Sequence, residues 1–518
     1  MRRICGVETE YGIQVDEVDS MDVVVESMEL IRCYLRQDFV AIWNYALENP
    51  RLDMRGFEVD VLRNDVDETL HLQKDRQRQI PLKDLKSDLI IHNGARLYND
   101  HTHPEFSTPE CYGLHDLVAV DRAGEQILLQ CAKGRTATRG EGVVRLYKNN
   151  TDFEGHSYGC HENFLLSREI PFQQVIDGLL PFVVTRQIFA GAGKVGVEQD
   201  TRASAATYQL AQRSDFFEVV ASVDTMHRRP LVNTRDEPHA DADRYRRLHL
   251  IIGDANMCEY ATALKVGSAA LAIDLLEAGE LPTCELADPV GALKEISRDE
   301  SRYWTVVLAA GRTSSALEIQ TDIMMAAQRL FKGRDKETDW ILDGWRGTLE
   351  ALARDPQELI GRLDWVTKKW LLDAFAESEG LDWEKPADRT WLQSQDLEYH
   401  NIDPAEGLYF MLEQQDQVER LVTEEDVLGA MVDPPRDTRA YFRGKTLQKF
   451  SNEVRSLNWD SIEFSVVGGS RVVDLKGCVD EETAAYYNEA LDAATSVEDL
   501  LQRLAAASRQ PPETGGAQ

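Results

Sequence analysis

Arg96, Tyr98 and Asp100 recur at every second position of Asn93-Gly-Ala-Arg-Leu-Tyr-Asn-Asp100. Residues two apart share a face of an extended strand, so an arginine, a phenol and a carboxylate stand where an ordinary sheet carries apolar groups. Beyond a turn, His103-Pro-Glu105 adds a carboxylate, and in Val7-Glu-Thr-Glu-Tyr11 the side chains of Glu8 and Glu10 project from one strand face. Carboxylate oxygens suit a hard cation such as Mg2+, which keeps part of its water and bridges nucleotide phosphates. Glu8, Glu10 and Glu105 are therefore candidate cation ligands. Arg96 is the candidate phosphate clamp, because a guanidinium grips two oxygens at once. The pattern is that of ATP chemistry without a Gly-rich loop. Asp100, beside such a cation, stays ionised and can act either as general base or as nucleophile.

Two further polar segments are dense enough to matter. Lys148-Asn-Asn-Thr-Asp152 leads into Ser157-Tyr-Gly-Cys-His-Glu-Asn163, and Asn233-Thr-Arg-Asp-Glu-Pro-His-Ala-Asp241 precedes a strand-like run. His239 is a candidate metal ligand, while Asp236, Glu237 and Asp241 fit a solvated turn equally well. His101 and His103 lack the cysteine or third histidine of a zinc site and are expected to support their neighbours. Cys160 and His161 are neighbours in sequence, which does not make a thiol nucleophile, since catalytic pairs meet in space.

The elements that must position these groups follow from pattern. A strand opens the chain and a helix follows around Val23–Leu35. Residues 62–88, with Arg63-Asn-Asp-Val-Asp-Glu68 and Lys74-Asp-Arg-Gln-Arg78, are polar and weakly periodic, and are expected to form a mobile insertion loop. Strand runs return at Val143–Lys148 and Arg247–Ile252. Asp254 is the expected N-cap of an apolar central helix stopped by Gly279. Ser315-x-x-Glu318 has capping-box spacing and opens a helix through Phe331. Residues 336–430 read as helical, and Pro434-Pro435 marks a break. Ala440–Phe450 reads as helix and Trp459–Val467 as strand. The expected division is a catalytic domain at 1–430, a small domain at 431–508, and a disordered tail at 509–518.

A chain of 518 residues with 43% hydrophobic content can bury a large core, and its formal charge of −33 argues against a general nucleic-acid-binding surface. The eight cysteines form no Cys-x-x-Cys pair and are expected to be reduced thiols. No signal peptide and no apolar run long enough for a bilayer is evident, so the expected location is cytoplasmic.

Gly6-Val-Glu-Thr-Glu-Tyr-Gly12, Asn93–Tyr98, His103-Pro-Glu105, Tyr147-Lys-Asn-Asn150, Ser157–Asn163, Asn233–Asp243, Tyr245-Arg-Arg-Leu-His249 and Pro434–Gly444 resemble the Pup ligase and Pup deamidase/depupylase family. Pup is a ubiquitin-like protein that marks bacterial proteins for a proteasome. The resemblance implies an α+β fold of the glutamine-synthetase and carboxylate-amine-ligase kind, a curved antiparallel sheet cradling ATP, backed by helices, with a small carboxy-terminal domain. It implies that Glu8, Tyr98 and Glu105 hold Mg2+, with Glu10 and His239 as additional ligands. It further implies that Arg96, Thr108 and Trp459 contact ATP (or ADP plus phosphate) and that Asp100 is the catalytic carboxylate. The partners implied are Pup and pupylated proteins. One branch joins Pup to lysine through a γ-glutamyl phosphate; the other deamidates Pup's terminal glutamine and hydrolyses the isopeptide bond. Arg55-Gly-Phe-Glu58 with the insertion after it, Thr438–Gly444 and Trp459-Asp-Ser-Ile-Glu-Phe464 are more similar to the second branch, and the Pup–protein ligase is the alternative.

Overall fold

The computed structural model describes residues 3–16, 21–34, 43–45, 48–63, 66–198, 206–225 and 227–507. Alternating burial along Cys5–Glu10 sets the architecture: Cys5, Val7 and Thr9 turn into the core while Glu8 and Glu10 face the other way. This strand (β1) lies inside an eight-stranded sheet with Leu89–Ile90 (β2), Arg96–Asp100 (β3), His103–Ser107 (β4), Cys160–Ser167 (β5), Val219–Ser222 (β6), Pro230–Asn233 (β7) and Tyr245–Leu250 (β8). The strand order is β6-β7-β8-β5-β1-β4-β3-β2. Every pairing is antiparallel except β6 with β7. A large, mostly antiparallel sheet backed by helices is what the resemblance implied.

Helices cover the face opposite the two glutamates. Leu114–Arg139 and Glu259–Glu277 pack there, the second buried on every side from Tyr260 to Ile273. Its start differs from the expectation. Cys258, not Asp254, is the N-cap, because the Asp254 carboxylate is taken by the N–H groups of Ala192 at 2.9 Å and Gln212 at 2.8 Å. Asp364, a hundred residues away in sequence, accepts the N–H groups of Met257 and Cys258 instead, each at 3.0 Å. Gly279 follows the helix with a left-handed φ of 70°, as a stop requires. Ser315 and Glu318 form the capping box of Ala316–Phe331.

The stretch 62–88 differs from the loop expectation, for it carries the helices Val66–Arg78 and Leu82–Lys86. Apolar periodicity could not announce the first because its sequence is mostly polar, with Val66, Leu70 and Leu72 its only aliphatic residues. Opposite charge at its end sustains it: Arg78 donates to Asp22 at 2.8 Å. Leu85 of the second packs with Val24 and Met28.

Arg439–Phe450, a three-stranded sheet of Val454–Leu457 (β9), Ser461–Val466 (β10) and Gly469–Asp474 (β11), and the helices Glu481–Ala493 and Val497–Ala507 share a second core, which also takes Trp43 and Ile90. Arg443, fully buried, ties this unit to the large sheet by donating to the Gly94 carbonyl at 2.8 Å and to Glu110 at 2.5 Å. The tail expected at 509–518 lies outside the described residues. All eight cysteines are free thiols. Among the described residues no helix is long and apolar enough to cross a membrane.

Candidate active site

Strand register assembles the site in two rows. Tyr98 on β3 stands opposite Glu105 on β4, and Glu105 stands opposite Glu10 on β1. One step along, Arg96 faces Ser107, Ser107 faces Glu8, and Glu8 faces His161 on β5. These rows floor a cavity of about 1280 Å³ lined also by Asp100, His239, His249 and Trp459.

Two groups of oxygen and nitrogen donors result. Glu10, Asp100 and Glu105 bring one carboxylate oxygen each to within 4.8 Å of one another. Glu105 is buried, and burial together with Asp100, Glu8 and Glu10 pushes its carboxyl well above the ordinary range. The Tyr98 hydroxyl hydrogen-bonds it in partial compensation. Asp100 shifts the other way: burial opposes its ionisation, but His101, Lys86 and Arg96 more than offset this. Its side chain is 30% exposed, open to the cavity. Carboxylates this close repel unless a proton or a cation sits among them, so the set fits a divalent ion.

The second group is Glu8, His161 and His249. Glu8 accepts from Asn163 at 2.9 Å and lies 3.1 Å from His161 Nδ1, 3.4 Å from Arg247 Nη1 and 3.4 Å from His249 Nε2. Burial works against its charge, yet His249, His161 and Arg247 hold it well below the carboxylate range. Burial and Arg247 drive His249 down to about 3, so its imidazole is neutral at neutral pH, and its buried Nδ1 has no hydrogen-bond partner among the described residues. A neutral imidazole beside an ionised carboxylate offers donor atoms of the kind a metal ion can take.

Not every expected residue meets these groups. His239 borders the cavity with a left-handed φ of 47° and a neutral ring, lowered by burial and by Arg247, Arg439 and Arg96. The structure groups His161 and His249, rather than His239, with Glu8. Thr108 is off the main cavity; its hydroxyl accepts the Val7 N–H at 3.0 Å, and it lines a side pocket of about 90 Å³ with Glu8, His239 and Trp459. Trp459 borders both spaces, edge-on to Trp43 at 5.7 Å. Arg96 borders the main cavity and is paired with Asp88. Tyr98 is protonated, its phenol pushed well up by burial, Glu105 and Asp100, and so offers a neutral oxygen. Cys160 points into the core and its thiol is raised by burial, which removes it as a nucleophile.

Residue-by-residue reading passed over His161, His249 and Arg213. Both histidines lie in segments notable for polarity, but their partner Glu8 is on a different strand. Arg213 is buried against the Gly253 carbonyl at 3.3 Å and the Ser157 hydroxyl at 3.2 Å. Burial and Arg229 pull its pKa down to about 10. With Arg228, Arg229, Arg235 and Arg247 it brings five guanidinium groups to the cavity lining, in a chain of net charge −33. Guanidinium groups at a concave, low-dielectric surface are the donors an anion would meet there.

The family model for Pup-ligase protein matches residues 3–463. The chain is 41% identical over 521 residues to the depupylase of Acidothermus cellulolyticus, covering 97% of this chain and 99% of that one. It is 39% identical to the Pup deamidase/depupylase of Mycolicibacterium smegmatis, with 97% and 100% covered. A Pup–protein ligase of Nakamurella multipartita is 45% identical over 368 residues, which span 69% of this chain and 80% of that one. Among solved structures, the complex between Pup and its ligase PafA superposes with a TM-score of 0.78 at 31% identity, covering 100% of this chain and 99% of that one. The Pup ligase PafA in complex with ADP gives 0.71 at 32%, covering 88% and 99%. The sheet, its carboxylate rows and these full-length similarities lead to one conclusion: the chain belongs to the Pup-ligase protein family.

Proposed function

We propose that this chain is a depupylase and Pup deamidase, hydrolysing the isopeptide bond between Pup and a substrate lysine and converting Pup's terminal glutamine to glutamate, with ATP (or ADP plus phosphate) and Mg2+ as cofactors. The observation that carries the reading is Asp100, an ionised carboxylate open to a cavity lined by both clustered carboxylates and arginines. Hydrolysis is favoured over ligation by the reach of the sequence alignments: that to the depupylases runs the length of both chains, whereas that to the Nakamurella ligase spans 69% of this one, the fold itself being matched over the whole chain by the ligase PafA as well.

Glu8, Glu10, Glu105 and Tyr98 would hold Mg2+, with His239, His161 and His249 as the nitrogen donors nearby. Arg96, Thr108 and Trp459 would contact the nucleotide. When bound, these cofactors supply positive charge and phosphate oxygens beside the reacting carbonyl. Arg228, Arg229 and Arg235 would receive the acidic carboxy-terminal stretch of Pup, directing its last carboxamide or isopeptide carbonyl toward Asp100. Asp100 then takes a proton from water or attacks the carbonyl itself, both of which need the carboxylate in its ionised form.

The test incubates the purified protein with ATP, Mg2+ and glutamine-ended Pup, followed by mass spectrometry, and separately with a pupylated protein. The expected results are the mass gain of a carboxamide becoming a carboxylate and release of Pup. Asp100→Asn should lower both rates by roughly 10²- to 10⁴-fold while ADP still binds. Conjugates formed from glutamate-ended Pup, with glutamine-ended Pup unchanged, would move the chain to the ligase branch.

A further inference from the structure

Asp88 is a buried carboxylate that the reaction outlined above does not use, and it grips Arg96. It directly precedes β2, whose Ile90 pairs with Arg96 on β3, so backbone pairing sets the two side chains at a fixed distance. Asp88 Oδ1 accepts from Arg96 Nε at 2.9 Å and Oδ2 accepts from Nη2 at 2.5 Å, a two-pronged contact along one edge of the guanidinium. The Tyr45 hydroxyl donates to Asp88 and accepts from Nη2 at 3.2 Å. The guanidinium carbon lies 3.9 Å from the ring centre of Trp43 and 4.0 Å from that of Tyr98. One edge and the plane of the group are therefore defined, and none of the described hydrogen bonds uses Nη1. Behind Asp88, Ser87 is left-handed with a φ of 44°, and Leu85 is packed on Val24 and Met28, which anchors the backbone that carries the carboxylate.

A free arginine freezes several torsions when it binds an anion, whereas one already held loses little. By charge alone Asp88 would repel a phosphate. Both of its oxygens are committed to Arg96, however, so the pair presents a neutralised edge on one side and N–H donors on the other. We propose that Asp88 is a positioning residue for the nucleotide: by holding the Nε–Nη2 edge of Arg96 it presents Nη1 to a phosphate oxygen. This rests on the reading of Arg96 as the phosphate clamp. It also couples the end of the 62–88 insertion to nucleotide binding, since Asp88 is the last residue of that stretch.

The experiment is calorimetric titration of ADP with Mg2+ into the full chain, its Arg96→Ala, Asp88→Ala and Asp88→Asn variants and the Arg96→Ala/Asp88→Ala double variant, with thermal melts alongside. Asp88→Ala should weaken ADP roughly 2- to 12-fold, the cost of ordering one long side chain. Asp88→Asn, able to keep one of the two bonds, should fall between. Adding Asp88→Ala to Arg96→Ala should cost nothing more, because Asp88 acts through Arg96. In turnover, KM for ATP should rise by a larger factor than kcat falls, a split that a purely structural lesion does not give. ADP binding by Asp88→Ala as tight as or tighter than wild type, or additive losses in the double variant, would overturn the proposal while Arg96→Ala alone still weakens ADP. If Arg96→Ala leaves ADP affinity intact, the clamp reading itself fails and the role of Asp88 falls with it. Should Asp88→Ala melt before it can be titrated, Asp88→Asn with its own double variant decides the same question.

Discussion

Replacing Glu105 with glutamine removes one of three carboxylates whose oxygens converge to within 4.8 Å. At that separation two unit charges repel by roughly 3.5 kcal/mol in an effective dielectric near 20. The metal-free protein escapes this by keeping a proton on Glu105, whose carboxyl is pushed well up by burial and by Asp100, Glu8 and Glu10. The folded state thus holds a proton that the unfolded chain releases, and metal-free stability falls as pH rises above the ordinary carboxylate range. Glu105→Gln is isosteric and uncharged, so it lifts that penalty. With an unfolding entropy of roughly 1 kcal/mol/K for a chain of this length, lifting the penalty raises Tm by up to about 3 °C, since the cost of holding the proton is bounded by the repulsion it avoids. The assay is thermal unfolding at pH 7.5 in chelator and then in Mg2+. The expected pattern is a variant more stable than wild type in chelator that has lost the wild-type gain on adding Mg2+. A variant less stable than wild type in chelator, or one that still gains from Mg2+, would refute the view of these carboxylates as a mutually repelling cation site.

Two further outcomes follow from particular contacts. Arg443→Ala leaves Glu110, which burial would raise but Arg443 and Arg439 hold at about 2, with Arg439 alone; losing one partner of such a buried cluster costs up to about 3–5 kcal/mol in denaturant unfolding. Because that depressed carboxyl stabilises the fold above its unfolded range and ceases to do so as pH falls through about 2, wild type should lose this contribution in acid while the variant lacks the Arg443 share of it already at neutral pH. Deleting residues 65–79 removes Lys74 and Arg78 from the cavity wall but keeps Leu85 in its cluster; turnover of pupylated substrate or nucleotide should change while the melting temperature stays close to wild type, and global unfolding would show the segment to be core.

Period-two patterning at Glu8/Glu10 and at Arg96/Tyr98/Asp100 was enough to place these side chains on one face of extended strands, because strand geometry allows nothing else. The capping box at Ser315 and the stop at Gly279 were equally readable, since the groups that satisfy those helix ends lie within a few residues. Where a partner is distant, local pattern fails. Asp254 looks like a helix cap by position, but Asp364 performs that task and Asp254 joins Ala192 and Gln212. The Val66–Arg78 helix has no apolar stripe to betray it. Above all, sequence supplied the donors and tertiary register supplied the site. Glu10 meets Glu105, and Glu8 meets His161, only because β1 lies between β4 and β5 in one particular antiparallel alignment. A slip of one residue would turn those carboxylates into the core, and the cost of burying bare charge there is what selects the alignment.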